Sequence, residues 1–269
     1  MRLSRYFQPY PARFAAMFLT LLILRAIITH INTPRSTPTN KDMKYIDFHA
    51  HILPECDHGS DGIETSKKQI ESAVSAGVDI LCATPHYYAQ NESVDSFLER
   101  RKKSFELLKN NVDCPDLGVA LGAEVLAFEG IEKLPDLDKL CLSGTNIILL
   151  EMPFFPWSDL LKHSVENLCF ESDFRIVLAH IERYAYHDIE ALCQAGALCQ
   201  MNADCLSSIF VDRKYSDLIS DGSLVALGSD IHGVKPGYEK WNKAKKRHKD
   251  LFETVMSGTN QLLFKTQEY

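Results

Sequence analysis

Asp47, His49 and His51 stand at a spacing of two at the end of the apolar run KYIDFHA. In an extended strand a period of two places all three side chains on one face. Two imidazoles so placed can grip one metal ion, although an isolated HxH is ordinarily no more than a pair of polar residues. What changes the reading is the company it keeps. His86 follows the run VDILCAT, Glu124 follows LGVALGA, Glu151 and His180 stand next to last in NIILLEM and RIVLAHI, Asp230 ends LVALGSD and His232 comes just after it. Mixed imidazole and carboxylate donors without cysteine suit manganese, zinc or iron, and affinity order alone does not choose among them.

The elements that must position these residues are legible as alternation. From Lys44 onward, short β-rich runs alternate with amphipathic stretches, the signature of βα units around a parallel sheet. Seven runs qualify as strands: the five apolar runs above that precede or contain the polar residues, KYIDFHA itself, and ALCQMNA. Each is mostly apolar, as expected of strands covered on both faces. Helices are expected over residues 64–76, 94–110, 158–171, 188–195, 215–221 and 240–256, the first stopped by Gly77. The fold class is therefore α/β, a single barrel domain. In a parallel barrel all strand C-termini open on one face, so the polar residues would converge there.

Composition narrows the function. The chain has 269 residues, 36 of them acidic and 29 basic, for a formal net charge of −7. Nothing in that balance attracts a polyanion, so nucleic acid is excluded as a partner and any phosphate specificity must be local. The eight cysteines form no CxxC pair and lie mostly in apolar runs, which points to free thiols in a reducing, cytoplasmic setting rather than a disulfide framework. Residues 1–43 form an N-terminal tail and linker ahead of a domain spanning 44–269. Residues 14–31 are apolar after three arginines, but Arg25 interrupts a stretch already short of the roughly 20 residues a span requires. A weak membrane anchor and a tail of no consequence both stay open.

The strings DFHAHILPECDHG, ATPHYY, GAEV, LEMPF, LAHIERY and GSDIHG, in that order, resemble the polymerase and histidinol phosphatase (PHP) superfamily. The resemblance is closest to its bacterial capsule-associated protein-tyrosine phosphatases, through HILP followed by an acidic turn and through HIERY. It implies a distorted (β/α)7 TIM-like barrel of the PHP type and up to three divalent ions, usually manganese. It implies that His49, His51, Glu124 and Asp230 hold one metal, with Glu124 bridging to a second held by Glu151 and His180. A third would be held by His86, His232 and the residue before Gly59, where the family has aspartate and this chain has His58, with Asp57 one place earlier as the alternative ligand. Arg183 would bind the phosphoryl group through its planar fork of donors. A second family arginine after SDxH is absent here. Gly237 stands at that spacing, and nearby Lys235 supplies charge without the fork. Asp47 would orient a ligand histidine. The implied activity is a manganese-dependent protein-tyrosine phosphatase acting on a bacterial tyrosine kinase that regulates polysaccharide export.

Rival readings exist. Cys169 and Arg175 have the spacing of cysteine-dependent phosphatases, but CFESDFR has no glycine to cradle phosphate and carries Glu171 and Asp173, which repel a dianion. Tyr87, Tyr88, Phe154, Phe155 and Trp157 either line an aromatic pocket or simply cover the barrel mouth. A small-molecule phosphatase of the histidinol-phosphate type, or a non-catalytic metal-binding regulator, would share the metal ligands.

Overall fold

In the computed structural model the described residues are 43–154, 156–234 and 237–264, so the expected tail and linker, Phe155 and Lys235 lie outside them. Among the described residues there are nine parallel strands. They are β1 (Ile46–Ala50), β2 (Ile80–Ala83), β3 (His86–Tyr87), β4 (Gly118–Leu121), β5 (Glu124–Leu126), β6 (Ile147–Glu151), β7 (Arg175–Leu178), β8 (Leu198–Asn202) and β9 (Leu224–Gly228). Two of the seven expected runs, VDILCAT and LGVALGA, are each continued by a short second strand beyond their ends. Pro85, which has no N–H to donate, separates β2 from β3, and Gly122–Ala123 separate β4 from β5.

The pieces still make seven staves. One sheet has the order β1-β2-β4 and the other β3-β5-β6-β7-β8-β9. Backbone bonds carry each broken stave across its break: Thr84 N–H donates to Ala50 O at 3.0 Å, Gly122 N–H to Ala83 O at 2.9 Å and Glu124 N–H to Pro85 O at 3.1 Å. The last stave meets the first where Asp230 N–H donates to His49 O at 2.8 Å. This is a distorted (β/α)7 barrel.

Helices α1 (Ile63–Ser75), α2 (Val94–Asn111), α3 (Asp159–Glu171), α4 (Tyr186–Gln194), α5 (Arg213–Ser220), α6 (Gly237–Arg247) and α7 (Lys249–Phe264) follow the staves. The helix expected over 240–256 is two helices broken at His248. Between β5 and β6 there are only 3-10 turns, at Ile131–Lys133 and Leu137–Leu140. Side-chain caps fix several starts: Ser93 accepts from Ser96 N–H and Ser158 from Leu161 N–H. Gly77, at φ 76°, ends α1 as its position in the sequence predicts.

Alternate strand positions divide the core into two layers. Phe48, Ile147, Leu149, Val177 and Ala226 belong to a small cluster between the staves. Their neighbours Leu81, Ile148, Ile176, Leu178 and Leu227 join a larger cluster with helix residues such as Ile70, Phe97, Val165 and Phe252. Burying such side chains contributes roughly 1.5–3 kcal/mol each, which makes the staves a stiff frame for what lies at their ends.

Candidate metal centre

The parallel staves bring the expected polar residues to one rim. The donor atoms of His49, His51 and Asp230 lie within 4.8 Å of one another, as do those of His49, Glu124 and His180, of His86, Glu124 and Glu151, and of His51, His86 and His232. Glu124 is the hub. Its Oε2 is 2.8 Å from His86 Nδ1, 3.2 Å from His51 Nε2 and 3.3 Å from His49 Nε2, while Oε1 is 2.8 Å from His180 Nε2. Asp230 Oδ1 lies 3.5 Å from His51 Nε2 and 3.7 Å from His49 Nε2, and Glu151 Oε1 lies 3.5 Å from His180 Nε2.

His58 is outside these donor groups, yet its exposed ring stacks on His86 at 4.8 Å between centroids and lies 4.6 Å from the ring of His232. Asp57 faces elsewhere. Its Oδ2 accepts from His51 Nδ1 at 2.8 Å and from His86 N–H at 3.0 Å, and its Oδ1 accepts from Gly59 N–H at 2.8 Å. The carboxylate thus stands behind His51, fixing the ring with Nε2 toward the cluster. Gly59 is required beside it, because a Cβ there would come within 2.0 Å of His51 Cβ.

Asp47 departs from the period-two expectation. Between Asp47 and Ala50 the pairing of β1 with β2 slips by one residue, a bulge that puts Asp47 out of step with His49. Its carboxylate accepts from the backbone N–H groups of His49 and Ser229 and from the Tyr238 hydroxyl, and meets no imidazole ring. The ring partner of His49 is Gln200, whose Oε1 is 3.2 Å from Nδ1.

Electrostatics follow from burial. Desolvating a carboxylate costs roughly several kcal/mol, and Glu124, Glu151 and Asp230 are all nearly inaccessible. Burial opposes charge on Glu124, but the surrounding imidazoles of His49, His180 and His51 outweigh it and hold its carboxyl well below the usual range. Burial likewise opposes a proton on His51, and the neighbouring carboxylates of Asp57 and Glu124 outweigh it, lifting the imidazole to about 10. His180 rises to about 9 against burial, through Glu124 and Glu151. His232 falls, through burial and then the nearby His51 charge.

Several observations fit divalent ions here. His86 Nδ1 and Glu124 Oε2 approach to 2.8 Å out of line for a hydrogen bond, so these buried atoms have no partner, and neither has His86 Nε2 or His232 Nε2. His49 Nε2 and His51 Nε2 converge to 3.0 Å. His180 and Asp230 have left-handed backbones, at φ 34° and 49°. That conformation is uncommon for non-glycine residues, and such strain concentrates at functional sites.

Arg183, in the 3-10 turn Ile181–Arg183 after β7, is about a third exposed and its Nη2 donates to Asp230 Oδ2. Phe154, exposed at the mouth, lies 5.8 Å from its guanidinium. Of the other expected aromatics, Tyr88 stacks on His86 at 5.3 Å. Tyr87 and Trp157 are core residues, edge-on to Phe97 and Tyr184 respectively.

Four supporting residues were not picked out from the sequence. Gln200 and Asn202 lie inside β8, Tyr184 Oη is 3.1 Å from His180 Nδ1, and Arg100 Nη2 donates to His86 O at 3.2 Å. The available signal for the first two was the polar pair at a spacing of two within ALCQMNA.

The fold and the rim cluster together define a parallel-barrel protein with a histidine–carboxylate cluster whose donor groups could hold metal ions. The chain belongs to the CpsB/CapC family of capsular polysaccharide synthesis, whose description matches residues 45–257. It is 28% identical over 203 residues to CapC of Staphylococcus aureus, covering 70% of this chain and 77% of that one. It is 26% identical over 231 residues to the tyrosine-protein phosphatase CpsB of Streptococcus pneumoniae, covering 81% and 83%. Its fold matches a solved structure from work on YwqE of Bacillus subtilis and CpsB of Streptococcus pneumoniae, described as unique metal-dependent tyrosine phosphatases. That match has a TM-score of 0.62 at 24% identity and covers 81% of this chain and 94% of the other.

Proposed function

We propose that this chain is a metal-dependent phosphoric monoester hydrolase of the PHP type that removes phosphate from protein phosphotyrosine. The single observation that carries the reading is the convergence on Glu124 of four imidazoles, with Asp230 and Glu151 beside them and an arginine on the rim. The ligand sets are proposed as His49, His51, Glu124 and Asp230 for one ion, Glu124, Glu151 and His180 for a second, and His86, His232 and His58 for a third. Manganese is the proposed metal. When bound, the ions would supply a hydrolytic nucleophile near neutral pH and neutralise phosphoryl charge.

The chain's own residues do the rest. Arg183 is half outside the cluster and would receive the phosphoryl oxygens through paired N–H donors, exchanging part of its bond to Asp230 for the substrate. Asp57 and Gln200 keep the rings of His51 and His49 turned inward. Phe154 and Tyr88 flank the rim where the aryl group of a phosphotyrosine would lie. The proposed physiological substrate is an autophosphorylated bacterial tyrosine kinase of polysaccharide export, and the proposed catalytic unit is residues 44–269. No described helix is long and apolar enough to cross a membrane. Cytoplasmic location is proposed on the free state of the cysteines.

The test is turnover of a phosphotyrosine peptide, with histidinol phosphate as comparison. Chelation should abolish activity and manganese restore it. Undiminished turnover at zero metal content would refute the reading.

A further inference from the structure

Gln200 has a fully buried side chain in the middle of β8, one of the least favourable places for an amide unless every polar atom is satisfied. Its Oε1 accepts from His180 N–H at 2.7 Å and lies 3.2 Å from His49 Nδ1. Its Nε2 donates to Asn202 Oδ1 at 3.1 Å, and Asn202 Nδ2 donates in turn to Asp230 Oδ2 at 3.2 Å.

The orientation of the amide follows from these partners. A backbone N–H can only donate, so the atom facing His180 N must be the oxygen. With an acceptor in that place, His49 Nδ1 must carry the hydrogen it shares with Gln200. The Nε2 lone pair of His49 is then left facing Glu124 Oε2 and His51 Nε2. The same oxygen holds the N–H of His180 in its left-handed conformation. Asn202 passes the constraint to Asp230.

A second observation fixes the assembly. Gly228 on β9 lies against the same amide, and a Cβ there would be 2.6 Å from His49 Cβ and 2.7 Å from Gln200 Nε2. Strands β1, β8 and β9 therefore close around Gln200 only because β9 carries glycine at that point.

We propose that Gln200 is a positioning residue for the metal centre. One amide sets the tautomer of His49, pins the backbone of His180 and, through Asn202, orients Asp230, so that three ligands from three staves are preset before an ion arrives. The inference rests on the metal-centre reading above and assigns a role within it to a strand interior that carries no ligand itself.

The test uses full-length protein stripped of metal, with manganese binding measured by calorimetry, thermal melts of the stripped forms, and long-range proton–nitrogen spectra of the zinc-loaded wild type. Gln200→Met, which keeps the volume and loses the acceptor, should weaken manganese binding by about 10- to 100-fold. Gln200→Glu, which keeps an acceptor oxygen for both His49 and His180, should restore most of it, and Asn202→Ala should fall between. A merely structural role would lower the melting temperature of Gln200→Met and leave the affinity of its folded fraction unchanged, and that result overturns the proposal. Should Gln200→Met not fold, the wild-type spectrum decides: His49 protonated on Nδ1 supports the proposal, and protonation on Nε2 overturns it. Wild-type protein that takes up neither manganese nor zinc would sink the metal-centre reading itself, and the inference with it.

Discussion

Strand β7 has a phosphatase-like group at each end, and only one of them joins the cluster of potential metal donors on the rim. At its start, Arg175 follows Cys169 at the spacing of a cysteine nucleophile and its phosphate-binding arginine; after its end come His180 and Arg183. Cys169 lies within helix α3, and burial pushes its thiol up to about 12, opposite to the lowered pKa a nucleophilic cysteine needs. Arg175 donates from Nη1 to Leu262 O, a backbone carbonyl of α7. At the other end, His180 meets Glu124 and Glu151, while Arg183 meets Asp230. The difference lies in convergence: one rim gathers side chains from six staves around a shared carboxylate, whereas the other sets a thiol made unreactive by burial in a helix beside an arginine that donates to a backbone carbonyl.

The sharpest way to break that comparison is to remove the hub. Glu124→Ala should lose turnover to below detection and most of its metal uptake while the barrel stays folded. Metal content after dialysis and a thermal melt would check it, and a variant that retains full metal content would undo the assignment of Glu124 as the shared ligand. Next in size is Arg183→Ala, which should lower kcat/KM for a phosphotyrosine peptide by roughly 10²- to 10³-fold, the scale of one transition-state donor. Because Arg183 is not proposed as a ligand, its metal content should match wild type.

Smaller effects separate Asp57 from His58. The carboxylate of Asp57 is fully engaged with His51, His86 and Gly59, so Asp57→Ala should weaken manganese binding by about 10- to 100-fold through loss of orientation. His58→Asp should instead strengthen it, since an anionic carboxylate replaces an imidazole facing a cation. A manganese titration of both variants checks the pair, and opposite signs are the expected result. The smallest effect belongs to the other end of β7. Cys169→Ser should leave turnover within a few-fold, since its thiol lies in α3 ahead of β7, apart from the donors at the other end of the strand. With its thiol at about 12, Cys169 should hardly react with iodoacetamide at pH 8, because the thiolate attacks. Rapid alkylation of the native protein, or a folded but inactive serine variant, would return the cysteine mechanism to contention.

By itself, the sequence determined the α/β class, the seven staves and the convergence of His49, His51, His86, Glu124, Glu151, His180, Asp230 and His232. Those follow from local rules: apolar runs of strand length, helical stretches between them, and the parallel topology that puts every strand end on one face. Tertiary structure decided what depends on register and on close approach. The breaks at Pro85 and Gly122 are local, but their alignment with neighbouring staves is what brings His86 opposite Glu124 in the β3–β5 pairing. The one-residue slip in β1 moved Asp47 off the ligand face, which no period-two argument can foresee. The direction of Asp57, the stacking of His58 and the clamp of Gln200 on two ligands arise from contacts between residues far apart in the chain. Hydrogen bonds act over about 3 Å, so which polar group supports which ligand is fixed only once the staves have closed.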